Sequence, residues 1–173
     1  MEVVRTYYAK GQLKEEYCLI NNKKEGLYKE YYKNGQLCYI CNYINGKING
    51  EYKSYHENGQ LCRIFNFIDG KENGECKLYE QNGQLTSIRN YIHGKINGEY
   101  NEYYENGQLY FIFNCIDGKL NGEYNLYHKN GQSLYIYNYV DGKLNGEYKI
   151  YSEDGILISH TLYENNVIVQ IIL

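Results

Sequence analysis

Apolar and aromatic positions fall in short runs along this chain, and polar turn residues interrupt them roughly every twelve residues. Charged and aromatic residues alternate from Glu51 to Lys53, and Leu61 to Ile68 is mostly apolar. Tyr, Ile and Phe favour the pleated surface of a strand, and runs this short leave no room for an ordinary helix. The pattern predicts an all-β fold, an elongated twisted antiparallel meander of about fifteen short strands.

The runs recur with a fixed period, which is clearest in the glycines. All 18 glycines belong to three series in which the spacing is 24 residues. A constant period of this length is typical of a repeat array, so we interpret the glycines as turn residues and expect no phosphate-binding loop. The structural turn glycines of two series are Gly35, Gly59, Gly83, Gly107 and Gly131, and Gly46, Gly70, Gly94, Gly118 and Gly142.

Each repeat is expected to hold two strands and two turns. The pair Asn58-Gly59 predicts a tight type I′ hairpin, in which both central residues have positive φ. Asp69 to Gly74 is then the longer turn. Tyr52 and Tyr55 have opposite parity, which predicts a bulge near Ser54.

Core candidates are the apolar positions that recur best from repeat to repeat. An asparagine column interrupts them and is either a side-chain ladder or part of the solvent face. The core candidates, with their counterparts in other repeats, are Tyr52, Tyr55, Leu61, Ile64, Phe67 and Ile68. The asparagine column is Asn42, Asn66, Asn90, Asn114 and Asn138.

The domain organisation is predicted to be one repeat array over residues 1–173. An atypical first unit covers about residues 1–25, regular units cover 26–145, and an atypical cap covers about 146–173. The cap contains the most apolar run of the chain, and its aliphatic residues would be costly to expose. We predict that this strand forms a homodimer, the alternative being a cap folded over its own sheet. Its aliphatic residues are Val167, Ile168, Val169, Ile171, Ile172 and Leu173.

Composition narrows the function classes. Charged residues make up 23% and hydrophobic residues 43%, too apolar a mixture for a disordered chain, and the net charge of −3 argues against a nucleic-acid partner. We expect no signal peptide and an intracellular, cytoplasmic protein. With 24 Tyr, no Pro and many Asn, Ile and Lys, the bias fits an AT-rich genome of a microbe, a protist or a large DNA virus.

The cysteines and histidines form no chemical site in the sequence. Cys38 and Cys62 share a column in neighbouring repeats, about 10 Å apart, which is too far for a disulfide. The C-x-x-C pair Cys38 and Cys41 would face opposite sides of a strand. We expect six thiols in a reducing compartment, no metal and no cofactor. His56, His93, His128 and His160 join no catalytic constellation, so we expect no enzyme.

Lysine recurs in one turn of each repeat and glutamate follows it. The lysines could bind phosphate-bearing lipid headgroups as a row of cations about 10 Å apart. Alternatively each lysine pairs with the glutamate four residues on, which is the interpretation we favour. The lysine column is Lys23, Lys47, Lys71, Lys95, Lys119 and Lys143, and the glutamate column is Glu51, Glu75, Glu99, Glu123 and Glu147.

The repeat unit resembles the MORN repeat, in the variant form found in bacterial proteins described as antitoxin components. The resemblance rests on Asn45-Gly46-Lys47-Ile48-Asn49-Gly50-Glu51-Tyr52 through Asn58-Gly59-Gln60-Leu61, and its copies span residues 3 to 168. This unit is a residue longer than the usual one and has tyrosines where Trp is common. The resemblance implies hairpin repeats that contact proteins, membranes or phosphoinositides.

The functional hypothesis is a non-catalytic scaffold that binds another protein of unknown identity or itself. A membrane-surface module that binds phosphoinositides through the lysines is the second hypothesis, and it is not favoured. An antitoxin-like inhibitor of a partner protein is the third. Exposed aromatic side chains along a sheet would provide the protein-binding surface, yet the same tyrosines could form the core.

Overall fold

The computed structural model describes residues 1–173, and every regular element in it is a β-strand, which confirms the all-β prediction. The chain divides into two compact units, Met1–Leu85 and Thr86–Leu173. The strands are β1 (Glu2–Tyr7), β2 (Leu13–Ile20), β3 (Lys23–Tyr31), β4 (Leu37–Ile44), β5 (Lys47–Tyr55), β6 (Leu61–Ile68), β7 (Lys71–Glu72), β8 (Gly74–Tyr79), β9 (Leu85–Ile92), β10 (Lys95–Tyr103), β11 (Leu109–Ile116), β12 (Lys119–Tyr127), β13 (Ser133–Val140), β14 (Lys143–Tyr151), β15 (Leu157–Glu164) and β16 (Val167–Ile171).

Strands follow one another in chain order within each unit, and neighbours are antiparallel. The first unit has the order β1 to β6 and then β8, with the two-residue β7 paired to β6. The second unit runs from β9 to β16. This is the order expected of a meander, because each strand pairs with the strand before it and the strand after it.

The tight turns of the structure lie directly before the strands that begin with the lysine column, and most of them are an Asx-Gly pair. Asn45 and Gly46 have φ values of 52° and 81°, and Asp141 and Gly142 have 51° and 79°. Two consecutive residues with positive φ between antiparallel strands form a type I′ turn. The turn after Ile68 is therefore short, and the prediction of a longer turn over Asp69–Gly74 was wrong.

The Asn-Gly-Gln sequence makes the wider loop of each repeat. The amide of His56 donates to the carbonyl of Gln60 at 2.8 Å, and the amide of Gly59 donates back to the carbonyl of His56 at 2.8 Å. Gly59 has a positive φ of 85°, but the φ of Asn58 is not positive. The type I′ prediction at Asn58-Gly59 was wrong, because this hairpin is closed by a turn followed by one left-handed glycine.

Two bulges in each repeat set the register of the strands. The ladder between β5 and β6 shifts between Ser54 and Tyr55, which confirms the predicted bulge. A second shift lies where β4 meets β5, between Cys41 and Tyr43, opposite Gly50 with a φ of 89°. The glycine series that includes Gly50 therefore marks an irregularity inside a strand that the sequence did not reveal.

The two faces of the sheet differ in chemistry, as the register shows. Side chains of directly paired residues share a face. In the first unit the aromatic face carries the paired series Tyr28, Cys41, Tyr52 and Phe65. The polar face carries Lys29, Ile40, Lys53 and Ile64 in the same strands. In the second unit the aromatic face carries Tyr100, Phe113, Tyr124, Tyr137 and Tyr148.

Few side chains are fully enclosed. The buried hydrophobic residues are Tyr28, Cys41, Cys76 and Cys115, and the buried polar ones are Ser87 and Thr161. Tyr52 and Ile64 are half-buried and lie on opposite faces. Ile68 is 45% exposed, so its inclusion in the core was wrong: it is the last residue before a tight turn, on the polar face. All strands belong to sheet structure with no second layer, and the aromatic side chains other than Tyr28 stay partly exposed.

Candidate binding face

A row of aromatic rings follows the aromatic face of the first unit. Ring centroids lie 5.6 Å apart between Tyr17 and Tyr28, 5.2 Å between Tyr28 and Tyr39, and 5.4 Å between Tyr39 and Tyr52. These three pairs are stacked, whereas Phe65 meets Tyr52 edge-on at 6.0 Å. Distances of this size are typical of attractive aromatic pairs. The strand ladder therefore holds the rings at the spacing that their mutual contacts require.

A second row of rings lies on the aromatic face of the second unit. Centroids are 4.8 Å apart between Tyr100 and Phe113, 5.3 Å between Phe113 and Tyr124, and 5.4 Å between Tyr124 and Tyr137. Tyr148 continues the row at 4.8 Å from Tyr137. All five side chains are half-buried. The row offers partly exposed ring surface along a rigid backbone.

Hydroxyl groups on this face are bound to carboxylates and remain protonated. The Tyr28 hydroxyl donates to Glu15 Oε1 at 2.7 Å and to Glu30 Oε2 at 3.1 Å. Burial raises the pKa of Tyr28, and the bond from Tyr28 lowers the pKa of Glu15. Burial, with the neighbouring Glu102, raises the pKa of Tyr100 to about 12. Because the pKa values of Tyr28 and Tyr100 lie far above neutral pH, the hydroxyl groups of these tyrosines are neutral hydrogen-bonding groups.

Two cations of the chain lie over these rings. The Lys24 Nζ is 3.9 Å from the ring centroid of Tyr28, with Tyr17 at 4.8 Å and Tyr43 at 5.2 Å. The Arg89 guanidinium carbon is 4.6 Å from the ring centroid of Tyr100. Both distances are within the range of cation–π attraction. The aromatic face therefore binds cations of its own chain in each unit.

Sequence interpretation missed these cation contacts, although a signal was present. In the column of Lys24 the other repeats have Ile48, Glu72, Ile96, Leu120 and Leu144. A lysine in a column that is aliphatic in four of the other five repeats is a departure that suggests a specific partner. The sequence could not show which residues Lys24 contacts, because the three rings around it belong to three different strands.

The polar face carries local ion pairs. Glu75 pairs with Lys77 at 2.7 Å, and Glu51 and Glu147 each pair with the lysine two residues on. The expected pairing with the lysine four residues earlier was wrong. Side chains two positions apart in a strand lie on the same face about 7 Å apart, and the lysine that each of these glutamates contacts stands at that position. The asparagine column is not a continuous ladder: Asn90 and Asn138 donate to carbonyls of Glu99 and Asn145, and Asn66 is exposed.

The lysine column lies beside the tight turns, and all its members are exposed. Lys119 Nζ pairs with Asp141 Oδ1 of the next turn at 2.7 Å, which lowers the pKa of Asp141. Each lysine is paired in the ladder with an exposed aliphatic residue, as Lys47 is with Ile44. The candidate lipid-contacting residues Lys47, Lys71, Lys95, Lys119 and Lys143 thus share one side of each unit's sheet with acidic turn residues.

The opposite side of the sheet, which we call the loop edge, consists of the Asn-Gly-Gln loops. In two of these loops a tyrosine hydroxyl donates to a carbonyl of the following repeat: Tyr32 to Tyr55 at 2.7 Å and Tyr104 to Tyr127 at 2.7 Å. His56 Nε2 takes the same place against the Tyr79 carbonyl at 2.8 Å. His56 and His128 therefore hold loops in register, and this accounts for their shared column.

The cysteines are thiols without an evident reactive site. No disulfide joins any of the six. Burial raises the pKa of Cys41 to about 11 and also raises the pKa of Cys38 and Cys115, so these thiols are weak nucleophiles at neutral pH. No three His, Cys, Asp or Glu side chains are grouped so as to hold a metal ion.

The last strand, β16, lies flat beside β15 as a further strand of the sheet. It pairs through Tyr163 with Ile168 and through Thr161 with Ile171. All five of its residues are exposed, and so are Ile172 and Leu173. The alternative of a cap folded over a face was therefore wrong, since the strand extends the sheet and covers neither face.

The chain contains no helical segment that could span a membrane.

Comparisons with known proteins address the fold. No curated protein matches the chain. Among 57 matching chains of solved structures is one from the crystal structure of TcdB2-TccC3-Cdc42, with 14% identity and a TM-score of 0.24. The match covers 94% of this chain and 11% of that one. The profile of the MORN repeat variant matches seven segments, residues 3–21, 24–45, 48–69, 72–93, 96–114, 120–141 and 144–165. With these matches covering most of its length, the chain belongs to the MORN repeat variant family.

Proposed function

We propose that this chain is a non-catalytic repeat scaffold that binds another protein through its aromatic face. The observation that carries the proposal is the row of half-buried rings from Tyr100 to Tyr148, on a sheet with no second layer. Aromatic side chains, tyrosine above all, are enriched where proteins bind one another. The rings are fixed by backbone pairing and by each other, so a partner would meet a surface that loses little conformational freedom on binding.

A protein partner is favoured over a lipid surface by the charges of the lysine column. Lys119 is already paired with Asp141, and an aspartate also stands in the tight turns at Asp69 and Asp117. An anionic membrane attracts clusters of basic residues without acidic neighbours. The net charge of −3 adds a further repulsive contribution.

The experiment compares two double variants in affinity capture followed by mass spectrometry. Leu126→Lys with Ile150→Lys places two charges among the rings, and long lysine stems can turn toward solvent without unfolding the sheet. Asn101→Lys with Asn125→Lys places the same charges on the polar face, again on two strands with one strand between them. We expect a partner that wild type and the second variant retain and the first variant loses. Equal capture by all three would contradict binding through the aromatic face.

Self-association is a second candidate, which the exposed aliphatic side chains of β16 favour. Ile171 is 72% exposed and Val167 64%, and no charged residue protects the strand. A flat, uncharged strand with one unpaired side is a template for pairing with another chain. Light scattering should report a dimer for the wild type and a monomer for Val169→Lys with Ile171→Lys. A monomeric wild type would rule this candidate out and leave the binding of a different protein unaffected.

A further inference from the structure

The contact between Lys24 and the rings shows what the aromatic face can bind. The ammonium is enclosed by Tyr17, Tyr28 and Tyr43, which come from three different strands. Tyr28 stacks on Tyr17 at 5.6 Å and 21°, and it meets Tyr43 at 5.7 Å and 58°. Tyr28 is 1% exposed, because its neighbours, Lys24 among them, cover the ring.

The same three positions in the second unit are also tyrosines, with nearly the same geometry. Tyr148 stacks on Tyr137 at 4.8 Å and 26°, and it meets Tyr163 at 5.6 Å and 52°. The place of Lys24 is taken by Leu144. A leucine is too short to cover the ring as the lysine does, and Tyr148 is half-buried where Tyr28 is enclosed. The second unit therefore repeats the three-ring arrangement without its cation.

The groups around the two arrangements favour different cations. Glu15 and Glu30 bind the Tyr28 hydroxyl in the first unit, and their places are taken by Tyr135 and Ile150 in the second. Without a carboxylate, a strongly hydrated ammonium has no opposite charge to replace its lost water. A guanidinium is more weakly hydrated and stacks on aromatic rings. Arg89 over Tyr100, at 4.6 Å, shows a guanidinium on this face of the same unit.

We propose that Tyr137, Tyr148 and Tyr163 form a site for the side chain of an arginine on the partner protein. The inference rests on the proposed protein-binding function and specifies what that partner presents: an arginine on a segment that can reach the aromatic face. The acidic net charge of the chain favours the approach of such a basic segment.

The test is a chemical-shift titration of the tyrosine ring signals with short Gly-Ser peptides. The peptides carry one central arginine, citrulline, lysine or trimethyllysine. Citrulline is the neutral analogue of arginine with nearly the same shape. The arginine peptide should shift the ring signals and bind about fivefold more tightly than the citrulline peptide, the ratio that a cation–π contact supplies. Equal binding of these two peptides would overturn the proposal, and tighter binding of trimethyllysine would overturn the assignment to arginine.

Two variants locate the site. Leu144→Arg supplies an internal guanidinium at the place that Lys24 takes in the first unit, and it should weaken binding of the arginine peptide about fivefold or more. Lys24→Leu uncovers the first arrangement, and it should leave the affinity of the site at Tyr137, Tyr148 and Tyr163 unchanged. Unaltered binding in Leu144→Arg, with its fold intact by circular dichroism, would refute the site. If a captured partner were lost with Leu126→Lys and Ile150→Lys but kept with Leu144→Arg, the aromatic-face function would stand and the arginine site alone would fail.

Discussion

The two turns of each repeat carry the same kind of dipeptide, yet they hold neighbouring repeats in different ways. On the loop edge, side chains reach forward: Tyr32 and Asn34 donate to carbonyls of Tyr55 and Glu57. At the tight turns, backbone amides reach back, as Gly46 does to the carbonyl of Lys24 at 2.9 Å. The identity of the side chain therefore matters at the loop edge, whereas the tight turns need only a residue that tolerates positive φ.

The largest expected effect comes from removing the side-chain bonds of one loop. Tyr32→Phe with Asn34→Ala deletes the bonds to Tyr55 and Glu57, and also the bond that Asn34 Oδ1 accepts from the Gln36 amide at 3.0 Å. With roughly 0.5–1.5 kcal/mol for each bond, the free energy of unfolding should fall by about 2 kcal/mol. Urea denaturation followed by circular dichroism measures the change.

The matched control for that variant lies at a tight turn. Asp69→Asn keeps a residue that accepts positive φ, as Asn45 does at the same place with a φ of 52°. It should leave the urea midpoint where it is. A loss as large as that of the loop variant would remove the distinction between the two edges.

A smaller expected effect is that the stability contributed by the two edges depends on pH in different ways. Burial, and secondly the contact with Cys38, raises the pKa of Tyr32 to about 12, against about 10 in an unfolded chain. The unfolded state therefore loses this proton first, and the stability that Tyr32 contributes is complete below about pH 10 and lost as the pH rises toward 12. The advantage of wild type over Tyr32→Phe should shrink between about pH 8 and about pH 11 in urea denaturation. A constant difference would show that the hydroxyl is not sheltered.

At the tight turns the contribution to stability is lost as the pH falls, whereas at the loop edge it is lost as the pH rises. Lys119 lowers the pKa of Asp141, so the contribution of this pair exists above the unfolded pKa and disappears as the pH falls. Both side chains are mostly exposed, at 59% and 70%. Pairs of this kind contribute little, so Lys119→Ala should leave the melting temperature at neutral pH unchanged. A drop of more than about 3 °C would mean that the tight turns depend on side chains after all.

Much of the fold was accessible from the sequence because its determinants are local. The glycine period, the strand runs and the parity of Tyr52 and Tyr55 all lie within a few residues, and they predicted the repeats, the strands and the bulge near Ser54. The prediction placed the tight turn at Asn58-Gly59 and the longer turn after Ile68, whereas the structure has the reverse. The two turns could not be told apart from sequence, because both contain an Asx-Gly pair. The difference between them is the hydrogen bond that closes the wider loop at His56 and Gln60.

The candidate site was less accessible because it depends on pairing between strands. The tyrosines were recognised, but whether they form core or surface depends on whether a second layer covers them. They turned out to be half-buried on a single sheet. Lys24 meets Tyr17 and Tyr43, and Lys119 meets Asp141, through the register of the strands, although these partners are 7 to 22 residues away in sequence. Ile68 was predicted to be buried but is exposed, because the hydrophobicity of a residue does not show whether it lies at a strand end that is open to water.

The spacing of the rings has an optical consequence. The chain has 24 tyrosines and no tryptophan, so all of its near-ultraviolet emission comes from tyrosine. With centroids 4.8 Å apart between Tyr137 and Tyr148 and 5.4 Å between Tyr124 and Tyr137, excitation energy can pass from ring to ring before a photon leaves. The emission is then depolarised even in a rigid molecule. A tryptophan docked on the row would collect this energy and shift the emission to longer wavelength, which makes the unlabelled protein a reporter of its own complexes.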